Sequence, residues 1–262
     1  MLLAIDINNT SVHLGVWAGE DLRATWRLAS DVERLPDEYA SLLLTLMRAG
    51  GIDPGQIRDC AIGSTVPSLT QTFQELVKRY FRVHPLVVGS GVRTGVRILY
   101  DNPRDVGADR IIDAVAALRL YPPPPLIMVD CGTATVFDAI SAEGDYLGGA
   151  IAPGMGVSAE ALFTRAARLY RVELEKPKSA IGKNTAHAMQ AGIMFGYAGL
   201  VEGIVARFKQ ELGANAKVIA TGVYAPLIAR ETTVFDVVNP NLTLIGLRFI
   251  YEMNRGEARG RD

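Results

Sequence analysis

Leu126-Ile127-Met128-Val129-Asp130-Cys131-Gly132-Thr133-Ala134-Thr135-Val136-Phe137-Asp138-Ala139-Ile140 is the stretch on which the fold turns. Residues 126–129 are apolar with a β-branched share, the pattern of a buried strand. The run ends in Asp130, a glycine and two threonines follow, and residues 136–140 read as a return strand with Asp138 interrupting its apolar face. A carboxylate at the end of a buried strand is costly unless it is hydrogen-bonded or faces a cation. Gly132 permits close approach of a ligand to the backbone, and the threonines offer hydroxyls and amides to phosphate oxygens. The same residues also fit a tight hairpin whose aspartate bonds its own turn.

The design occurs twice. The chain opens Leu2-Leu3-Ala4-Ile5-Asp6-Ile7-Asn8-Asn9-Thr10-Ser11-Val12-His13-Leu14-Gly15-Val16-Trp17, again an apolar strand, an aspartate, a hydroxyl-bearing turn and an apolar return. Asp6 and Asp130 stand 124 positions apart in 262 residues, close to half the chain. Two distant copies of one unit suggest two related half-domains facing one cleft. That arrangement resembles the acetate kinase/sugar kinase/Hsp70/actin superfamily, whose paired hairpins hold ATP phosphates and a metal ion between two lobes.

Outward from the hairpins the expected elements alternate. Strands over 2–7, 12–17 and 22–28 form a meander, with Gly19-Glu20-Asp21 as a turn. A helix over 37–48 places Tyr39, Leu42, Leu43 and Leu46 near one face and stops at Gly50-Gly51. A strand over 60–64, a helix from Pro67 with an apolar stripe Leu69, Phe73, Leu76, Val77, Tyr80, and a strand over 86–88 complete a ribonuclease H-like order. Tyr100 precedes Gly107-Ala108-Asp109-Arg110, which opens a helix reaching Leu120 with Ile111, Ile112, Val115 and Leu118 inward. In its first turn, free amides and the positive helix end favour a carboxylate or a bound anion. Asp109 there either serves chemistry or merely supports the helix start.

Pro122-Pro123-Pro124-Pro125 reads as an extended, stiff run and marks a lobe boundary, giving lobes 1–121 and 122–262. After the second hairpin, the glycine-rich segment 146–154 reads as a loop where backbone touches a ligand, or as a plain corner. Helices near 156–170 and 184–212, a strand over 218–220 leading into Thr221-Gly222, and a helix from about 241 follow. The long helix carries Gly192, Gly196, Gly199 and Gly203 on one face. Each weakens it by about 1 kcal/mol relative to Ala, a cost that close packing of another backbone offsets. The expected class is α/β, two ribonuclease H-like lobes of a duplicated actin-like ATPase fold with a nucleotide cleft between them.

Composition narrows the function. A formal net charge of −1 with 21% charged residues gives no electrostatic footprint for nucleic acid. No basic, apolar leader opens the chain and no apolar run reads as a membrane span, so a cytoplasmic protein is expected. Cys60 and Cys131 fall in or beside strands, as reduced thiols do. No G-x-x-x-x-G-K-[ST], G-x-G-x-x-G or H-E-x-x-H motif is present, and His13, His84 and His187 are scattered.

The chain resembles type III pantothenate kinase over nearly its whole length. Gly107-Ala108-Asp109-Arg110, Asp130-Cys131-Gly132-Thr133-Ala134-Thr135 and Gly148-Gly149-Ala150-Ile151-Ala152-Pro153-Gly154 carry the likeness, and Gly63-Ser64-Thr65-Val66-Pro67 fits more loosely. The resemblance implies ATP-dependent phosphorylation of pantothenate to 4'-phosphopantothenate, the first step of coenzyme A biosynthesis, by a homodimer. It implies that Asp6 and the turn Ile7-Asn8-Asn9-Thr10-Ser11-Val12-His13 face the ATP phosphates and Mg²⁺. Tyr100, Gly107, Ala108, Asp109, Arg110 and Thr185 would hold pantothenate, with Asp109 the general base. Thr133 would contact ATP, and Asp130 a monovalent cation, K⁺ or NH₄⁺. Asn8 and Val223 each stand where the family has glycine. The residues therefore leave open a catalytically weakened binding or regulatory protein of this fold, or a kinase for another small hydroxy acid.

Overall fold

The computed structural model describes residues 1–166 and 168–258. In chain order the elements begin with β1 (Leu2–Ile7), β2 (Ser11–Ala18), β3 (Asp21–Ala29), α1 (Pro36–Ala49), β4 (Asp59–Ser64), α2 (Pro67–Leu76), β5 (Leu86–Val87) and α3 (Ala108–Leu120). The second series runs β6 (Leu126–Cys131), β7 (Ala134–Ile140), β8 (Tyr146–Pro153), α4 (Met155–Arg165) and α5 (Thr185–Leu212). It closes with β9 (Lys217–Thr221), α6 (Ala225–Ile228), β10 (Val237–Val238) and α7 (Leu242–Ala258). The strands form two five-stranded sheets, β3-β2-β1-β4-β5 and β10-β9-β6-β7-β8. Each has an antiparallel meander joined to parallel strands through its first member. Read from the meander side, the two orders are the same, so the duplicated hairpins are the first pairs of two repeated sheets.

Two compact units contain these sheets: Met1–Gly95 with Asn102–Ala116 and Thr243–Asp262, and Val96–Asp101 with Ala117–Leu242. This division differs from contiguous lobes 1–121 and 122–262 in two main segments: Val96–Asp101 joins the second unit and α7 the first. Side chains explain the return of α7. Asn254 accepts from Arg93 N–H (3.1 Å) and donates to Arg93 O (2.8 Å), and Tyr251 donates its hydroxyl to Asp59. Where an extended proline run was expected, the Pro122–Pro123 and Pro124–Pro125 bonds are cis.

In the first unit β1 is buried on both faces, as its apolar run over residues 2–5 requires. Leu3, Ile5, Ile7, Val12, Leu14, Val16, Cys60 and Ile62 pack against Tyr39, Leu43 and Met47 of α1 and Leu69, Phe73 and Leu76 of α2. Truncating a ring such as Phe73 to alanine costs about 3–5 kcal/mol. The opposite face carries small residues. A side chain at Gly15 would press on Leu244, and one at Gly63 would overlap Ile112, so these glycines let α7 and α3 lie close to the sheet. Edge strand β3 alternates exposed Asp21, Arg23, Thr25 and Arg27 with half-buried neighbours.

In the second unit Ile127, Val129, Cys131, Phe137, Val218 and Ala220 pack against α4, α5 and α6. The segment read as a glycine-rich loop is strand β8, in register with β7 from Ala134↔Pro153 to Ile140↔Tyr146. By length and composition α5 could cross a membrane, against the expectation that no run would. Half of its most apolar window is buried in this unit, where Met189, Ile193, Met194, Tyr197, Val201 and Val205 form core. That half of its apolarity belongs to the core of the unit.

Candidate active site

In the first unit Asp6 stands one residue before the end of β1, with 6% of its surface exposed. The turn after it is tied from several sides. Asn8 donates its side-chain amide to Asp6 Oδ2 (2.8 Å) and its backbone N–H to Ser11 O (3.0 Å). Ser30 donates its hydroxyl to Asn8 O (2.5 Å), and Thr65 N–H bonds Ile7 O (3.0 Å). Asn9 and Thr10 stand exposed at the tip, where hydroxyl and amides can meet an anion. Ile7 and Val12 are core side chains, so only their backbone serves the turn. His13, opposite Asp6 in the ladder and 5% exposed, has its pKa lowered to about 4 by burial and then by Arg27. It is a neutral ring in the sheet and contributes no cation to a phosphate.

The same unit holds the start of α3. Ile112 meets the sheet at Gly63, the register partner of Asp6, and lies less than one turn beyond Asp109. This contact brings the first turn of α3 to the end of the sheet that carries the Asp6 turn. Asp109 Oδ1 is buried and has no hydrogen-bond partner among the described residues. A side chain at Gly107 would overlap that oxygen. Burial raises the Asp109 pKa, while the backbone N–H and charge of Arg110 and its own N–H oppose the rise. Arg110 is itself 8% exposed. A desolvated carboxylate held by helix-end amides, with one oxygen outside any hydrogen bond among the described residues, is able to accept a proton.

In the second unit three backbone segments meet at Asp130 and the turn that follows it, near the end of β6. Gly222, with φ +89°, leaves room for Asp130 Oδ1 and the Cys131 backbone, which a side chain there would overlap. Gly154 N–H bonds Thr133 O (3.0 Å), and a side chain at Gly154 would overlap the carbonyls of Gly132 and Thr133. Thr135 is buried and hydrogen-bonded to the Tyr197 hydroxyl, which also donates to Pro153 O (2.8 Å). Burial pushes the Tyr197 phenol up to about 12. Thr133 therefore sits on a rigid, glycine-packed turn. No group of three or more His, Cys, Asp or Glu that could hold a metal ion occurs among the described residues. Single carboxylates such as Asp6 and Asp130 suit an ion that keeps its waters and shares phosphate ligands.

Two candidates lie elsewhere in this unit. Tyr100 rests against Gly148 of β8. Thr185 opens α5, where Asn184 caps the helix by accepting from His187 N–H (2.9 Å) and meets His187 Nδ1 (3.2 Å). Thr185 lines a groove of about 840 Å³ with Ser158, Leu162, Gly192, Gly196 and Tyr197. Sequence reading did not single out Ser30, whose local sequence carries no signal. Nor did it find Tyr146 with Asp138, although the polar Asp138 in an apolar strand was a visible sign.

The Type III pantothenate kinase family model matches residues 2–207. A type III pantothenate kinase of Roseiflexus sp. (strain RS-1) is 54% identical over 255 residues, 97% of this chain and 100% of that protein. One from Dehalococcoides mccartyi (strain CBDB1) is 53% identical over 254 residues, 97% and 96% of the two chains. Among solved structures, the activator of 2-hydroxyisocaproyl-CoA dehydratase from Clostridium difficile, with bound ADPNP, aligns at TM-score 0.53 and 12% identity. It covers all of this chain and 98% of its own, a likeness of fold. The repeated sheets are those of an actin-like ATPase fold. With matching hairpins, matching motifs and more than half of its residues shared along almost its whole length, the chain belongs to the type III pantothenate kinase family.

Proposed function

We propose that this protein transfers the γ-phosphoryl group of ATP to the primary hydroxyl of pantothenate, giving 4'-phosphopantothenate and ADP in the first step of coenzyme A biosynthesis. The observation that carries the reading is Asp109: a buried carboxylate at a helix start, one oxygen without a hydrogen bond among the described residues, inside the motif of this family. Asp109 takes the hydroxyl proton as that oxygen attacks phosphorus, and ADP departs. Arg110 neutralises the substrate carboxylate or the moving phosphoryl charge. MgATP supplies the phosphoryl group and most of the neutralising charge. Asp6 and the amides of residues 7–11 orient the phosphates, and Thr133 bonds the nucleotide. Asp130 holds a monovalent cation, and Tyr100 and Thr185 contact pantothenate.

We read the protein as a cytoplasmic homodimer. Both cysteines are free and buried, with thiols pushed up by burial. The glycine face of α5 supports the dimer: a Cβ built at Gly192, Gly196 or Gly199 would meet nothing within 4 Å among the described residues, so the face has room for a second backbone. The weakened-protein reading rested on Asn8 and Val223. Arg82 is the non-glycine residue with positive φ among the described residues, so the backbone conformation at neither position asks for glycine. Mass spectrometry after incubation with pantothenate, MgATP and K⁺ tests the reading. Pantothenate carrying one added phosphate is expected, and ATP consumed only with another hydroxy acid would overturn it.

A further inference from the structure

Residues 96–101 are laid along β8 and held there at successive points. Tyr146 N–H bonds Arg97 O (2.9 Å) and Leu99 N–H bonds Tyr146 O (2.8 Å), a parallel bridge between Ile98 and Tyr146. Arg97 grips Asp145 through two nitrogens. The Tyr100 ring then lies on Gly148: a Cβ there would stand 3.0 and 3.1 Å from Cε2 and Cδ2, and φ is +121°. A glycine is required both for the backbone and for the ring above it.

Beneath this lies a buried polar pair. Tyr146 is fully buried and Asp138 is 3% exposed, and the Tyr146 hydroxyl donates to Asp138 Oδ1 at 2.7 Å. The two tyrosine rings stand 6.5 Å apart, tilted by 50°. A carboxylate buried in an apolar strand is a costly way to hold two strands together. Its hydrogen bond does what an apolar contact does not: it fixes the rotation of the Tyr146 ring, and with it the surface Tyr100 leans on.

We propose that Asp138 and Tyr146, with Gly148, are positioning residues that set the Tyr100 ring for pantothenate. This rests on the reading of Tyr100 as a substrate contact. The carboxylate acts through the phenol, the phenol through the ring face, and none of the three needs to touch substrate.

Steady-state kinetics of Tyr146→Phe, Asp138→Ala and Asp138→Asn, each alone and with Tyr100→Ala, test the proposal. Tyr146→Phe and Asp138→Ala are expected to raise KM for pantothenate about 5- to 30-fold, with kcat and KM for ATP within about two-fold. Asp138→Asn keeps an acceptor oxygen and should restore most of the affinity. In the Tyr100→Ala background the Tyr146→Phe effect should fall below about two-fold. Unchanged KM for pantothenate in Tyr146→Phe, or its full effect persisting without Tyr100, overturns the proposal. If Tyr100→Ala alone leaves that KM unchanged, the substrate reading of Tyr100 has failed. Positioning is then decided on substrate-free protein with ¹³C-labelled tyrosine: Tyr100 ring resonances moved by Tyr146→Phe support it, and unmoved resonances overturn it.

Discussion

Asn8 shows how a departure from a motif can be absorbed. Its backbone is not left-handed, and its amide holds the carboxylate that the turn presents. Asn8→Gly should therefore raise KM for ATP about 2- to 10-fold and lower stability by ~1–2 kcal/mol, since it removes a hydrogen bond and frees the unfolded chain. A side chain that merely crowds the phosphates, the concern the motif raises, would predict the opposite sign for KM and the same sign for stability. Val223 is 56% exposed, and Val223→Gly should leave KM for ATP unchanged. Steady-state kinetics and melting temperatures of the two mutants check both. His13 makes a pH prediction. Its folded pKa lies near 4 against an ordinary 6.5, so the unfolded state binds the extra proton between these values. Its contribution is whole above about pH 6.5 and is lost as pH falls toward 4, at most about 3 kcal/mol. Melting temperature should fall less between pH 7 and 5 in His13→Gln than in the wild type; parallel curves would contradict the assignment.

The elements divide by how locally they are specified. The paired hairpins and the helices α1, α3 and α5 were legible because apolar periodicity and stop signals lie within each segment. Strand β8 was not: Gly148, Gly149 and Gly154 look like a loop until their neighbours are known. Two of the three make room for partners elsewhere, the Tyr100 ring and the carbonyls of residues 132 and 133. Gly222 was read from sequence as following a strand, in a segment that meets nucleotide in the family, and its fit against Asp130 is likewise a tertiary fact. Gly154→Ala should destabilise the second unit by about 3 kcal/mol or more, because backbone atoms must yield; chemical denaturation measures it. On α5 the consequence differs. A Cβ at Gly196 meets nothing within 4 Å among the described residues and opens onto a groove, so Gly196→Leu should leave the fold intact while breaking the proposed dimer. Light scattering after size exclusion should show a folded monomer for the mutant and a dimer for the wild type.

At the scale of the molecule, one strand-and-turn design used twice yields two sheets of the same order, each with an aspartate near the end of its first strand, tied by Asn8 in the first and packed by glycines in the second. That repetition was visible from positions 6 and 130. The return of α7 to the first unit was not, because it depends on Asn254 and Tyr251 finding residues 93 and 59. The proposed chemistry rests on one residue, Asp109, and Asp109→Asn keeps its shape while removing the base. The direct measurement is ADP release with pantothenate, Mg²⁺ and K⁺, for wild type and Asp109→Asn, beside their melting temperatures. The account predicts steady turnover for the wild type, with a loss of about 10²–10⁴-fold in kcat or more for the mutant at a melting temperature no lower than the wild type's. Near-wild-type kcat in a folded Asp109→Asn protein would contradict it.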